Sequence, residues 1–388
     1  MNPLERLEPA ELGRRLKAAR NAARVTQEQA AAHIGAVRTT VVAIERGDRR
    51  LSAEELLRLC DLYATSPGHL LRPEAIHVDL ALQFRRLPGD GVDQEILDVT
   101  RTLQELASRY VELERRLGRP LEPAYPPVRR LTRSNLPEQA EDLALELRSR
   151  LGIGLSPIPD VLSLVETELR VRLFVVPLPS RISGAYAYHD DLGACILVNA
   201  NHAPTRQAWT TAHELGHFLT DRQTAEVLDG GTGDDLPGEQ FANLFAGAFL
   251  MPASAVRRRY DEVWEEQGKF SARSLVYLAR TFYVSPEAMA RRLEVLGLFA
   301  KGAYDILRSR GLDHATVRTL RSKLEEGAAR PAFLPRYTLI TVEAYEKELI
   351  SEGELARMLR IGRVEVRELL DTLQDITETV EEQQRARA

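Results

Sequence analysis

His213 and His217 stand four residues apart, with Glu214 directly after the first, inside RQAWTTAHELGHFLTD, a stretch patterned as a helix. Residues four apart share one face of a helix, so the two imidazoles can bind a single ion while Glu214 sits beside the water on that ion. The expected ion is Zn2+. Only two cysteines, Cys60 and Cys195, occur in the chain, so neither a disulfide framework nor a cysteine-rich zinc site is available and any metal must be held by His and carboxylate. Zinc lowers the pKa of its bound water and polarises a scissile carbonyl, while a base at Glu214 takes the water's proton and passes it to the departing amine. The motif therefore predicts a zinc metalloendopeptidase with Glu214 catalytic. The plain alternative for the same residues is a pair of buried imidazoles.

A third protein ligand is needed if the fourth position is to stay with water. Asp221, Glu226, Asp229, Asp234, Asp235 and Glu239 all follow the motif. Glu239 is preferred because GEQFANLFAGAFLMP reads as a second helix, on which Ala242, Asn243 and Ala246 are small enough to admit the first helix closely; Glu226 is the next choice. Upstream, SGAYAY, the turn HDDLG and ACILVN predict an antiparallel hairpin, with turn chemistry at Asp191 to Gly193. An edge strand beside a metal helix favours a substrate bound as an added extended strand. Cys195 lies in the second of these strands, where a buried core cysteine is expected over a thiolate on the metal. His189, His202, Tyr186 and Tyr188 flank or occupy the hairpin and are candidates for substrate contact.

With 388 residues the chain exceeds the roughly 250 to 300 that one hydrophobic core serves, and several domains are expected. No run approaches the roughly 18 to 20 apolar residues of a membrane span. The opening MNPLERLEPAELGRR lacks the apolar stretch of a signal peptide. No membrane partner and a cytoplasmic location are the expectation. The net charge of -5 is uneven: residues 1–72 hold 12 Lys/Arg against 9 Asp/Glu, and the remainder 40 against 48. A mildly basic module on an acidic body is the pattern expected if the module alone touches phosphate.

Within that module apolar residues recur at helical spacing in short separate segments: Leu12, Leu16 and Ala19, then Ala30, Ala31 and Ile34. Thr26 can cap a helix beginning at Gln27, Gly35 supplies a tight turn, a third helix runs from about Val37 to Glu45 before Gly47, and Ser52 starts a fourth. A helix, a short glycine turn and a second helix opening on Arg38, Thr39 and Thr40 have the geometry of a helix-turn-helix. RLKAARNAARVTQEQAAAHIGAVRTTVVAIERGDRRLSAEELLRLCDLY resembles the Xre/Cro type of DNA-binding domain nearly from end to end. The resemblance implies a five-helix domain in which Gln27 opens the second helix near the DNA backbone while Arg38, Thr39 and Ala43 face base edges. Arginine can grip guanine with two hydrogen bonds and a threonine methyl can touch thymine. Arg46, Arg49 and Arg50 would contact phosphates. A module used for protein contacts only is the alternative.

From Val92 to Leu117 the positions Val92, Ile96, Val99, Leu103, Leu106, Tyr110, Leu113 and Leu117 step by four and three. Such a heptad predicts a coiled coil over 92–117 and a homodimer; packing against its own chain is the alternative. GRPLEPAYPPVRRLTRSNLP, rich in Pro and Arg, reads as a linker. SARSLVYLARTFYVSPEAMARRLEVLGL reads as two helices around Ser285 and Pro286. EGELARMLRIGRVEVRELL resembles a small helix-turn-helix-like unit without an evident base-reading pattern, so protein contact or regulation is expected for residues 301–388, with a frayed tail from Glu378.

HELGH, followed by E-x-x-A-N-x-F-A and L-M-P, resembles the ImmA/IrrE family of metallopeptidases across about residues 140–295. The resemblance implies a gluzincin-like site of His213, His217 and Glu239 with Glu214 catalytic. It also implies cleavage of a DNA-bound helix-turn-helix repressor, releasing stress-response, mobile-element or phage-defence genes. Single-stranded DNA is one candidate activator, beside a small molecule or metal supply. The alternative is a transcriptional regulator whose peptidase-like domain is a sensor with little or no proteolysis; a third reading is an antitoxin-like binding protein. The fold class expected is α+β, mostly α: residues 1–72 a five-helix Xre-type domain, 73–138 a helical connector and linker, 139–300 a zincin-like peptidase domain with a small antiparallel sheet, and 301–388 a helical C-terminal region.

Overall fold

The structure, a computed structural model, describes residues 8–23, 25–63, 65, 67–71, 80, 94–132, 134–223, 226–229, 237–309 and 335–371. Val92, Asp234, Asp235 and the tail from Glu378 lie outside the described residues. The chain divides into two compact units, one of Met1–Leu121, His189–Leu192 and Arg336–Ala388, the other of Glu122–Tyr188 and Gly193–Pro335. The division after Leu121 falls inside the segment expected as a linker. No described helix is long and apolar enough to cross a membrane.

In the first unit the expected short helices are α1 (Pro9–Ala22), α2 (Gln27–His33), α3 (Arg38–Arg46), α4 (Ala53–Leu62) and α5 (Pro67–Leu71). Their boundaries follow from local chemistry. Thr26 and Gln29 form a reciprocal capping box at the start of α2, as Ser52 and Glu55 do for α4. Gly35 at φ 69° and Gly47 at φ 82° take the left-handed conformation that closes a helix. Leu16, Ala30, Ala31, Val41, Ile44, Leu56 and Leu59 join in one buried cluster. Beneath it Arg20 grips both oxygens of buried Glu45, at 2.5 and 3.2 Å.

Helix α6 (Gln94–Leu117) carries the heptad stripe. Leu103, Leu106, Tyr110 and Leu113 are buried within this chain. Tyr110 packs edge to face on Tyr337 of α15 (Pro335–Glu346), ring centroids 5.0 Å apart. Arg336 donates to the Tyr110 hydroxyl and to the buried Glu114 carboxylate, each at 2.6 Å. Tyr110 of the stripe is thus covered by the chain's own α15, and the burial of its neighbours within one chain gives the homodimer expectation no support.

The second unit contains α7 (Leu136–Arg150), α8 (Val161–Glu168), β1 (Arg172–Val176), β2 (Ile182–His189), β3 (Gly193–Asn199), α9 (Pro204–Thr220), β4 (Glu226–Asp229), α10 (Pro237–Leu250), α11 (Ala253–Gln267), α12 (Ala272–Thr281), α13 (Pro286–Val295) and α14 (Ala303–Ser309). The described helices and a small sheet bear out a mostly helical α+β chain. The sheet, in the order β1-β3-β2-β4, is mixed rather than antiparallel, because β1 runs parallel to β3 with Phe174 opposite Leu197. Strand β1 is RLFVV and is buried along its whole length. A strand covered on both faces has no alternating pattern to announce it, and the sequence reading passed over it. Strands β2 and β3 are sheet neighbours joined by the expected tight turn, where Gly193 sits at φ 66°.

Residues 119–132 are not a slack linker. Tyr125 packs edge to face on Phe218 of α9 at 5.0 Å, and its hydroxyl accepts the Ala194 N–H at 2.9 Å. Arg222 lies over both rings, 5.1 Å from the centre of Tyr125 and 4.5 Å from that of Phe218, while donating to the Pro126 carbonyl at 2.5 Å. The Arg129 N–H reaches the Leu219 carbonyl at 2.8 Å. Aromatic stacking under a guanidinium holds an apolar face that periodicity could not reveal.

Candidate metal centre

Helices α9 and α10 cross where neither carries bulk. A Cβ on Gly216, the fourth residue of HELGH, would lie 3.0 Å from the Ala242 Cα and 3.3 Å from its Cβ. This contact makes the expectation of small residues on α10 specific to Ala242. It carries Glu239, one turn earlier on α10, to the imidazole face of α9. His213 Nε2 and His217 Nε2 are 3.1 Å apart, and Glu239 oxygens lie 3.3 Å from the first and 3.5 Å from the second. These three residues form a group whose ligand atoms all lie within 4.8 Å of one another. Two donors each about 2.0–2.1 Å from a tetrahedral ion stand about 3.3–3.4 Å apart. The imidazole separation is close to that size and each imidazole meets one of the two Glu239 oxygens at a similar distance, so the donor set of two nitrogens and a carboxylate fits a zinc ion.

The surroundings set each ligand's orientation. His213 Nδ1 lies 3.1 Å from the Asn243 side-chain oxygen. An amide oxygen only accepts, so Nδ1 carries the proton and the Nε2 lone pair turns to the metal position. Asn243 was noted in the sequence for its size alone; its role as a partner for a ligating histidine needed the helix crossing to become visible. Burial pushes the His217 imidazole down to about 4, against the opposing pull of the Glu239 and Asp221 charges. A neutral imidazole is the form that ligates a metal. Asp221, itself a candidate ligand, caps α9 with its N–H on the His217 carbonyl at 2.8 Å and is not in the ligating group. The Glu226 backbone pairs opposite Tyr186 in β4.

Glu214 is wholly buried. Its Oε1 is 3.5 Å from where a Cβ on Gly184 would be, and that Cβ would also meet the Leu197 carbonyl at 2.7 Å. Glycine at 184 is therefore required by the close approach of Thr210, 2.6 Å from that Cβ, and of the Leu197 carbonyl, while the Glu214 carboxylate lies at ordinary contact distance. Strand β2 is interior, between β3 and β4. The expected edge position beside the metal helix is thus taken by β4, and among the described residues β1 and β4 are the outer strands of the sheet.

The other candidates around the hairpin separate. Tyr186 is buried and donates to the Arg222 carbonyl at 2.9 Å, which makes it a core residue. His202 bonds the Ser180 carbonyl at 3.0 Å and His189 accepts the Asp191 N–H at 3.1 Å, so both serve their own loops. Tyr188 is half-buried against the core. Cys195 is buried in β3 with its thiol 3.7 Å from the Gly193 carbonyl, and the ligating group is complete without it.

On the helix-turn-helix, Arg38, Thr39, Arg46, Arg49 and Arg50 are exposed, while Gln27, Thr40 and Ala43 are half-buried. Gln27 donates to Glu45 at 2.9 Å and offers its oxygen to Arg38 at 3.4 Å, so the buried Arg20–Glu45 pair extends to the first residue of α3. Arg49 is bonded to Glu55 at 2.8 Å, a pair that a phosphate would have to replace.

Comparison with known proteins matches the two regions in which these residues lie. Residues 166–294 match the family model described as the IrrE N-terminal-like domain. Residues 11–73 match a helix-turn-helix domain model. A curated relative, "Radiation response metalloprotease IrrE" of Deinococcus deserti, is 34% identical over 145 residues, 36% of this chain and 48% of that protein. The chain thus spans about half the length of the curated relative it matches, 48%. It carries a helix-turn-helix domain and an IrrE-like metallopeptidase-family domain on one polypeptide.

Proposed function

We propose that this protein is a DNA-binding, zinc-dependent site-specific endopeptidase of gluzincin type. His213, His217 and Glu239 would hold the ion, with Glu214 as general base. The observation that carries the reading is the meeting on crossing helices of two imidazole nitrogens 3.1 Å apart with a carboxylate whose two oxygens lie 3.3 and 3.5 Å from them. The name of the 34% identical relative supports the metalloprotease class. When bound, zinc supplies Lewis acidity toward a peptide carbonyl and an acidified water. Glu214 would act as the proton acceptor and then as the donor to the departing amine, and Asn243 would hold the His213 tautomer.

In this reading residues 1–72 bind duplex DNA through Gln27, Arg38, Thr39, Thr40, Ala43, Arg46, Arg49 and Arg50. The substrate is a small helix-turn-helix repressor cut at one site, which derepresses stress-response, mobile-element or phage-defence genes. The domain limits 1–72, 73–138, 139–300 and 301–388 belong to the same proposal. The test is to mix the zinc-loaded chain with a repressor encoded beside it. Glu214→Gln should keep its zinc and lose cleavage; cleavage at the wild-type rate would remove Glu214 from the reaction. The burial of His213, Glu214 and His217 favours one second reading, a transcriptional regulator using this domain as a sensor. Stoichiometric zinc without proteolysis, together with operator binding lost in Arg38→Ala, would decide for it.

A further inference from the structure

Residues 351–371 repeat, position by position, the frame of residues 26–46. Ser351 caps helix α16 (Glu352–Leu359) in a reciprocal box with Glu354, as Thr26 caps α2 with Gln29. Nine residues after each cap stands a left-handed residue, Arg360 at φ 52° and Gly35 at φ 69°. The next N–H closes the turn in the same way, Ile361 onto the Ala356 carbonyl at 3.1 Å and Ala36 onto that of Ala31 at 2.8 Å. A second helix then opens twelve residues after the cap, over 363–371 and from Arg38. Four buried positions coincide, Leu355, Ala356, Leu359 and Val366 in the places of Ala30, Ala31, Ile34 and Val41, whereas Met358, Ile44 and Glu45 are buried in one unit only.

From this repeated frame and what it displays, we infer that residues 351–371 are a second helix-turn-helix that reads base edges of duplex DNA. The first turn of the second helix is the part that meets bases in such a unit. There Arg363 stands in the place of Arg38 and Val364 in that of Thr39, both exposed. Val364 is 68% exposed, and its methyls suit a thymine methyl as Arg363 suits guanine. Arg360 takes a conformation that glycine adopts without strain, and it places a fourth exposed arginine beside Arg357, Arg363 and Arg367. Of the positions assigned to DNA in residues 1–72, four differ in charge: Glu352, Glu365, Glu368 and Asp371 stand where Gln27, Thr40, Ala43 and Arg46 do. Glu352 is paired with Arg367 at 3.2 Å, Glu365 in the first turn accepts the Gly362 N–H at 2.7 Å, and Glu368 and Asp371 lie in later turns of the helix. The phosphate grip is accordingly weaker than that of residues 1–72, and the unit adds sequence selectivity more than affinity. This replaces the protein-contact role that the sequence alone suggested, and it is independent of any peptidase activity.

The probe is a pool of randomised duplex DNA from which the full chain selects its sites. Wild type should select two distinct sequence elements. Arg363→Ala with Val364→Ala should lose one of them and bind the selected duplex roughly 5- to 150-fold more weakly, while Arg38→Ala loses the other. The salt dependence should change by less than the one unit expected for losing a phosphate contact. Unchanged melting of the doubly substituted chain would confirm that the fold is intact, since both side chains are exposed. Selection of one element that the double substitution leaves untouched in sequence and affinity overturns the proposal, including the case in which the unit binds only protein.

Discussion

The helix-turn-helix at residues 26–46 and the metal centre on α9 and α10 are both helix pairs, yet they are built by opposite means. In the first, caps and a left-handed glycine set each helix end from its nearest neighbours in sequence, and Arg38, Thr39 and Arg46 stay exposed. In the second, the functional groups are buried, and their geometry rests on a helix crossing that one glycine and one alanine permit. An exposed reading surface tolerates local change because each side chain meets its ligand separately. A buried triangle does not, because moving one helix moves a ligand relative to the other two.

The largest effect that sharpens this contrast is expected from Glu239→Ala, which leaves two imidazoles and should remove stoichiometric zinc while the DNA-binding unit keeps its affinity. Elemental analysis with a parallel DNA titration checks both halves; full zinc occupancy in that variant would mean another residue closes the site. Next comes Arg20→Ala, which strands the buried Glu45 carboxylate. Removing one partner of a buried pair costs about 3–5 kcal/mol, so residues 1–72 should lose their cooperative melting transition with zinc content unchanged. If the loss is under about 1 kcal/mol, the pair behaves as a surface one.

Asn243→Ala should weaken zinc binding by roughly 10- to 100-fold without altering the fold, the range for removing the partner of a ligating histidine. Chelator competition measures it, and Asn243→Asp should restore most of the affinity because a carboxylate also accepts from Nδ1. The smallest change is expected from Thr26→Ala, which removes one cap and should cost about 1 kcal/mol. Thermal unfolding of the first unit reads it, and no shift in the metal centre should accompany it.

How far each region can be read from the sequence follows the same division. The cap at Thr26, the turn at Gly35, the stop at Gly47 and the start at Ser52 all fall where residue type alone put them, because each needs only a partner within a few positions. His213 and His217 were legible for the same reason, being one helical turn apart. Glu239 needed a guess about which helix approaches. Strand β1, the strap of Tyr125 and Arg222 and the partner role of Asn243 were not legible, since their neighbours are distant in the chain and leave no period. The heptad over 92–117 suggests a coiled coil between two copies, but a stripe does not say what covers it, and here Tyr110 meets Tyr337 of the same chain.

Alone, the sequence determined the helix ends, the pair of imidazoles with their neighbouring acid, and the kinship of two segments with known families. These depend on interactions within a turn or two, where chain connectivity already supplies proximity. Tertiary structure decided which carboxylate approaches the two imidazoles, the mixed sheet that makes β2 interior and the partner of Tyr110 in the apolar stripe. Each of these required groups far apart in sequence to meet, and burial alone favours such a meeting without specifying its partners.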